Sequence, residues 1–141
     1  MSPIANRVWV KPTGANPKLF AADLSTLNSV TTPNPNIFSK KYVAGINHKE
    51  ALKVIKTLNK NGESTTIDIL GEHTLNNKDC DSITNEYIDL LKKIHKEKLH
   101  CNLSIKPSHI GTDISYQTAL NNFKKILQTA DHLNNFVRID M

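Results

Sequence analysis

The chain has 141 residues, of which 38% are hydrophobic and 22% are charged, and its formal net charge is +5. This length fits one domain, and the composition is typical of a folded globular protein, not of a disordered chain. No apolar run approaches the ~18 residues of a membrane span, and residues 1–30 lack the compact apolar run of a secretory signal. We therefore expect a soluble protein with one core.

The positive charge is concentrated in residues 1–41, which carry five basic residues and one acidic residue. From Tyr42 onward the chain is nearly neutral and its aromatic residues do not alternate with basic ones, so we expect no nucleic-acid partner. Residues 1–41 are expected to form a poorly ordered leader. A mitochondrial transit peptide is the alternative, although prolines interrupt any long amphipathic helix there.

The cysteines and histidines give no sign of a metal site. Cys80 and Cys101 form no CxxC pair, which fits a reducing compartment such as the cytoplasm. His95 and His100 belong to no recognised ligand motif, so no metal is expected.

Residues 42–141 predict alternating helices and strands, beginning with a helix. Asn47 followed by Glu50 is a capping box, Asn61-Gly62 ends that first helix, and Ser115 caps the third. Apolar residues at helical spacing define the predicted core faces. These faces are, in order, Ala51, Val54, Ile55 and Leu58; Ile83, Tyr87, Leu90, Leu91 and Ile94; and Ala119, Leu120, Phe123, Ile126, Leu127 and Ala130.

Three short segments predict strands, namely residues 64–70, 102–106 and 136–140. The first is rich in β-branched residues, and Pro107 stops the second. The order βαβαβ implies parallel strands joined by right-handed crossovers.

Charged residues stand at the ends of these predicted strands, because Glu72, Lys106 and Asp140 follow one another at intervals of 34 residues. A typical (β/α)8 barrel has ~31 residues per unit, and its active site lies at the carboxyl ends of the strands. The sequence stops one residue beyond the third strand, which leaves the outer face of that strand uncovered. We therefore expect an α/β fold made of the first three βα units of a (β/α)8 TIM-type barrel, truncated after the third strand.

Four short blocks resemble the N-terminal part of the proline dehydrogenase family. They are Val43-Ala44-Gly45, Asp68-Ile69-Leu70-Gly71-Glu72, the segment 104–111 (SIKPSHIG), and Val137-Arg138-Ile139-Asp140-Met141. They occur in the family's order within residues 42–141. The resemblance implies an FAD-dependent barrel enzyme that oxidises L-proline to Δ1-pyrroline-5-carboxylate and passes electrons to a quinone or another acceptor.

The same resemblance implies roles for four residues. Lys106 matches a lysine that helps bind the proline carboxylate, and Asp140 matches the catalytic aspartate beside substrate and flavin. Met141 matches a methionine whose main chain is close to FAD, and Glu72 matches a glutamate that pairs with an arginine late in the barrel and closes the pocket. Pro107 stands where many members of the family have leucine. Because proline has no backbone N–H, this difference could change the direction of the Lys106 side chain.

Several alternatives stay open at this point. The later strands and last helix, which in the family hold most FAD contacts, lie outside these residues, so the fragment alone is expected to be inactive. A non-catalytic remnant and another flavin- or phosphate-binding barrel are the competing interpretations. Lys106, Asp140 and Glu72 could also be ordinary solvent-facing strand ends. The resemblance further allows peripheral contact with a membrane and, in a eukaryote, a mitochondrial-matrix location.

Overall fold

The computed structural model describes residues 7–13, 43–45, 48–70 and 73–140. These residues form a five-stranded sheet and three α-helices. The strands are β1 (Arg7–Thr13), β2 (Val43–Gly45), β3 (Ser64–Leu70), β4 (Cys101–Ile105) and β5 (Val137–Ile139). The helices are α1 (His48–Lys60), α2 (Asn77–Lys96) and α3 (Tyr116–His132), and a 3-10 turn spans Pro107–His109.

The strand order in the sheet is β2-β1-β3-β4-β5. β4 pairs in parallel with both β3 and β5, so the predicted parallel βαβαβ arrangement is confirmed. β1 pairs antiparallel with β3 along its whole length, and with β2 at Val8 and Trp9. The sequence analysis predicted neither β1 nor β2, and β1 lies within the segment for which a poorly ordered leader is expected.

Local signals mark the ends of the helices. The Asn76 side chain accepts a hydrogen bond from the Asp79 N–H at 2.9 Å and caps α2. The predicted Ser115 cap of α3 is confirmed, because its hydroxyl oxygen accepts from the Thr118 N–H at 3.0 Å. The Asn47 half of the predicted capping box lies outside the described residues.

An apolar core lies between the helices and one face of the sheet. Ile67 and Ile69 of β3, and Leu103 and Ile105 of β4, are fully buried in it. Because side chains alternate along a strand, these four residues share one face. The predicted face of α2 is buried throughout, and consists of Ile83, Tyr87, Leu90, Leu91 and Ile94.

The predicted core faces of α1 and α3 are wrong at one position each. Val54 and Leu127 are each 38% exposed, whereas Leu52 and Asn122 are buried. Both exposed residues lie at the border of the apolar stripe, where a small rotation of the helix decides burial. Asn122 can be buried because its side-chain amide donates to the Ile110 carbonyl at 3.1 Å.

β5 forms one edge of the described sheet and is the most exposed of the parallel strands. Phe136, just before it, is 61% exposed, and Ile139 within it is 52% exposed. Among the described helices, none combines the length and apolar character that crossing a membrane requires.

Gly111 has a backbone conformation and a setting that a side chain would disturb. Its φ is +113°, and an added Cβ would lie 2.8 Å from Thr118 Cγ2. We expect Gly111→Ala to lower the free energy of unfolding by about 2–3 kcal/mol, measured by urea denaturation. Gly62→Ala is the matched control, because Gly62 also has a positive φ but has open space around it. We expect this substitution to lower the free energy of unfolding by about 1 kcal/mol. Equal losses would contradict the steric explanation.

The buried Cys101 thiol predicts a loss of stability at alkaline pH. Burial raises its pKa from 9.0 to about 11. The folded state keeps this proton to higher pH than the unfolded chain, so the stabilisation is complete below pH 9 and is lost as the pH approaches 11. We expect urea denaturation at pH 9 and pH 11 to show that the free energy of unfolding falls between these values, and that it falls by about 2 kcal/mol more in the wild type than in Cys101→Val. Equal drops would show that the thiol does not contribute.

Candidate functional site

The face of the sheet opposite the helices is polar. Five side chains alternate with the buried core residues and share this face, namely Thr66, Asp68, Asn102, Ser104 and Arg138. Thr66 Oγ1 lies 3.0 Å from Asn102 Oδ1 across β3 and β4. The parallel register therefore separates an apolar face, which packs against the helices, from a polar face on which Thr66, Asp68 and Ser104 are buried and Arg138 is exposed.

Lys106 and Asp140 lie at the carboxyl end of this polar face. Lys106 directly follows β4 and Asp140 directly follows β5, one step beyond the paired residues Ile105 and Ile139. The Asp140 N–H donates to the Ile105 carbonyl at 2.9 Å and extends the ladder by that step. The structure thus brings these two predicted site residues to the same level on neighbouring strands.

The Lys106 side chain is 32% exposed, so its ammonium group is open to a ligand. Its backbone is extended, with φ −100° and ψ 126°, and Pro107 opens the 3-10 turn that follows. At the first position of a helical turn proline needs no backbone N–H, so Pro107 fits here without cost. Its presence leaves Lys106 at the carboxyl end of the sheet, beside Asp140.

Asp68 also belongs to this site, although the sequence analysis assigned it no role. It lies in β3, its side chain is only 9% exposed, and its Oδ2 is 4.0 Å from Lys106 Nζ. A carboxylate inside a buried strand is costly unless it is paired or hydrogen-bonded. The signal in the sequence was an acidic residue in the middle of the β-branched run 64–70.

Tyr87 and His109 form a buried polar pair beneath these charges. The Tyr87 hydroxyl lies 3.1 Å from His109 Nδ1, and both residues are almost completely buried. Burial raises the pKa of Tyr87 well above its usual range, the negative charge of Asp68 raises it further, and a hydrogen bond with the Lys106 backbone opposes both. Tyr87 therefore stays neutral, and its hydroxyl connects α2 to the turn after β4.

Two contacts connect the loop after β3 to the segment after β4. Thr74 Oγ1 lies 2.9 Å from the Ser108 carbonyl oxygen and 3.1 Å from that of His109. Nearby, His73 Nδ1 contacts the carboxylate of Asp113. Both loops follow the carboxyl ends of strands, so these contacts lie at the same end of the sheet as Lys106.

Two of the four predicted site residues, Glu72 and Met141, lie outside the described residues. Their roles remain predictions. Within the part of the chain that the structure describes, no group of three or more His, Cys, Asp or Glu side chains could hold a metal ion. The described part of the site therefore contains the Lys106 ammonium group, the carboxylates of Asp68 and Asp140, the exposed Arg138 and the buried Tyr87–His109 pair.

Comparison with known proteins identifies the family. The family model for proline dehydrogenase matches residues 51–141. Proline dehydrogenase 1 of Bacillus subtilis is 34% identical over 103 residues, which cover 73% of this chain and 34% of that protein. For proline dehydrogenase 2 of the same species the identity is 33% over 101 residues, which cover 72% of this chain and 33% of that protein.

A more distant relative is the proline dehydrogenase of Deinococcus radiodurans, with 24% identity over 106 residues that cover 73% of this chain and 34% of that protein. The chain thus spans about a third of the length of these curated relatives. The matched segment includes the polar face of β3 and β4 together with Asp68, Lys106 and Asp140. The chain belongs to the proline dehydrogenase family.

Proposed function

We propose that the protein carrying this segment is an FAD-dependent proline dehydrogenase, which oxidises L-proline to Δ1-pyrroline-5-carboxylate. One observation carries the proposal. Lys106 and Asp140 lie side by side at the carboxyl end of parallel strands, within the segment that the family model matches. A partly exposed ammonium group in this position is suited to bind the carboxylate of an amino acid.

The proposed fold is that of a (β/α)8 barrel to which β3, α2, β4, α3 and β5 contribute successive parts. The parallel register supports this, and so do the strand ends at Leu70, Ile105 and Ile139, which follow one another at intervals of 35 and 34 residues. In such a barrel the helices lie outside, so the polar face that carries Asp68 and Ser104 would line the interior. The apolar face against α1, α2 and α3 would form the outer layer of the core.

In the proposed reaction, this segment binds and orients the substrate. Lys106 neutralises the proline carboxylate, and Asp140 lies on the neighbouring strand beside the bound ring. Proline loses a hydride from C5 and a proton from nitrogen, which forms the C=N bond of the product. When bound, FAD supplies the acceptor for that hydride, and a quinone or another acceptor later takes the electrons.

The described residues fit the substrate side of a flavin site, because they provide an exposed cation beside carboxylates at the end of a parallel sheet. We propose that the Met141 backbone contacts the flavin and that Glu72 pairs with an arginine from a later part of the barrel. Residues beyond this segment would supply most of the remaining FAD contacts.

The proposed activity is tested by supplying L-proline and an artificial electron acceptor to the purified protein that carries this segment. We expect flavin absorbance in the protein and formation of Δ1-pyrroline-5-carboxylate, detected by its adduct with an aromatic aminoaldehyde. A protein that binds flavin without oxidising proline would favour another flavin-dependent barrel activity.

Removal of the Lys106 ammonium group should weaken substrate binding. We expect Lys106→Ala to raise the KM for proline by about 10- to 100-fold, since charge-assisted hydrogen bonds contribute about 1.5–3 kcal/mol. Lys92→Ala is the control, because Lys92 is exposed on the outer surface of α2. Steady-state kinetics would measure both, and an unchanged KM in Lys106→Ala would contradict the assigned role.

A further inference from the structure

We infer that Asp68 is a positioning residue for Lys106, and that it acts on substrate binding by holding the lysine ammonium at the edge of the sheet. This inference rests on the proposed function. Asp68 lies within β3, while Lys106 lies just beyond β4, and Asp68 Oδ2 is 4.0 Å from Lys106 Nζ. Both side chains extend from the polar face of the sheet.

The two partners differ in how freely they can move. The Asp68 side chain is 9% exposed and belongs to a strand with neighbours on both sides, so its position is fixed. The Lys106 side chain is 32% exposed and carries its charge on a flexible four-carbon chain. A fixed carboxylate near a mobile ammonium group restricts the ammonium to fewer positions. Substrate binding then costs less conformational entropy than it would with an unrestrained lysine.

Neighbouring residues hold the Lys106 backbone in place. His109, which forms a buried pair with Tyr87, donates its backbone N–H to the Lys106 carbonyl at 3.0 Å. The Lys106 backbone is therefore held by the turn that contains His109, and the Lys106 ammonium group lies near Asp68. On the other side of Lys106, Asp140 lies at the same level on β5. The strands that carry Asp68 and Asp140 thus lie on either side of the strand that leads to Lys106.

The register argues against direct contact between the Asp68 carboxylate and a substrate bound at the carboxyl end of the sheet. Asp68 pairs with Ser104, two residues before Lys106, so it lies one side-chain level deeper in the sheet. Lys106 occupies the level above it, between Asp68 and the carboxyl end. An approaching carboxylate at that end meets the ammonium group first, and Asp68 acts through it.

The test uses proline oxidation by the protein that carries this segment, with Asp68→Asn, Lys106→Ala and the double variant. We expect Asp68→Asn to raise the KM for proline by about fivefold while kcat stays within about twofold, which fits the loss of one partly exposed ion pair. The double variant should have the same KM as Lys106→Ala alone, because Asp68 acts only through the lysine. KM effects that multiply in the double variant would overturn the inference.

Asp68→Glu and Asp89→Asn complete the design. Asp68→Glu keeps the charge and should restore the KM to within about twofold of the wild type. A variant whose KM is raised by misfolding would not be restored in this way. Asp89→Asn removes an exposed carboxylate of α2 and should leave the KM unchanged. A KM that remains raised in Asp68→Glu, with kcat also reduced, would assign Asp68 a purely structural role.

A second measurement on the 141-residue chain separates this inference from the proposed function. NMR should show two inequivalent Lys106 ε-methylene protons in the wild type, and a single averaged signal in Asp68→Asn. If the wild type shows this pattern but the protein does not oxidise proline, the proposed function fails and the positioning role stands. If both proteins show an averaged signal, the positioning role fails.

Discussion

The parallel register of β3, β4 and β5 is the constraint on which the rest of this structure depends. It places Ser104 between Asp68 and Arg138, and Ile105 beside Ile139, so the residues that follow β4 and β5 arrive at the same edge. Helices α2 and α3 connect these strands, and their apolar faces fix which side of the sheet is buried. Lys106 and Asp140 are neighbours for that reason, although 34 residues separate them in the chain.

Much of the parallel part could be predicted because its signals are local. Strand β3 coincides with the predicted residues 64–70, and α3 begins directly after its predicted cap at Ser115. All five predicted core residues of α2 are buried, because five apolar residues at helical spacing leave little freedom of rotation, whereas the buried Cys80 and Thr84 of the same face are not predicted. At Val54 and Leu127 several apolar residues compete for burial, and only packing against the sheet decides between them.

The antiparallel strands could not be predicted, because their pairing depends on contacts between distant parts of the chain. β1 contains Pro12, which is unusual inside a sheet because it has no N–H to donate. β2 reaches only Val8 and Trp9, so near Pro12 one side of β1 has no described neighbour, and the missing donor is tolerated. The role of Asp68 could not be predicted for a related reason. The function of an acidic residue within a strand depends on its partner across the sheet, here Lys106, and the sequence does not identify that partner. Lys106 and Asp140 needed no partner to be noticed, because they stand at strand ends.

Thr74 gives the site a mechanical property. Its hydroxyl is within hydrogen-bond distance of two successive carbonyl groups, those of Ser108 and His109, and His73 beside it contacts Asp113. The loop after β3 and the turn after Lys106 are therefore coupled, so that one cannot be displaced without straining the other. The Thr74 hydroxyl thus ties the two loops together at the carboxyl end of the sheet.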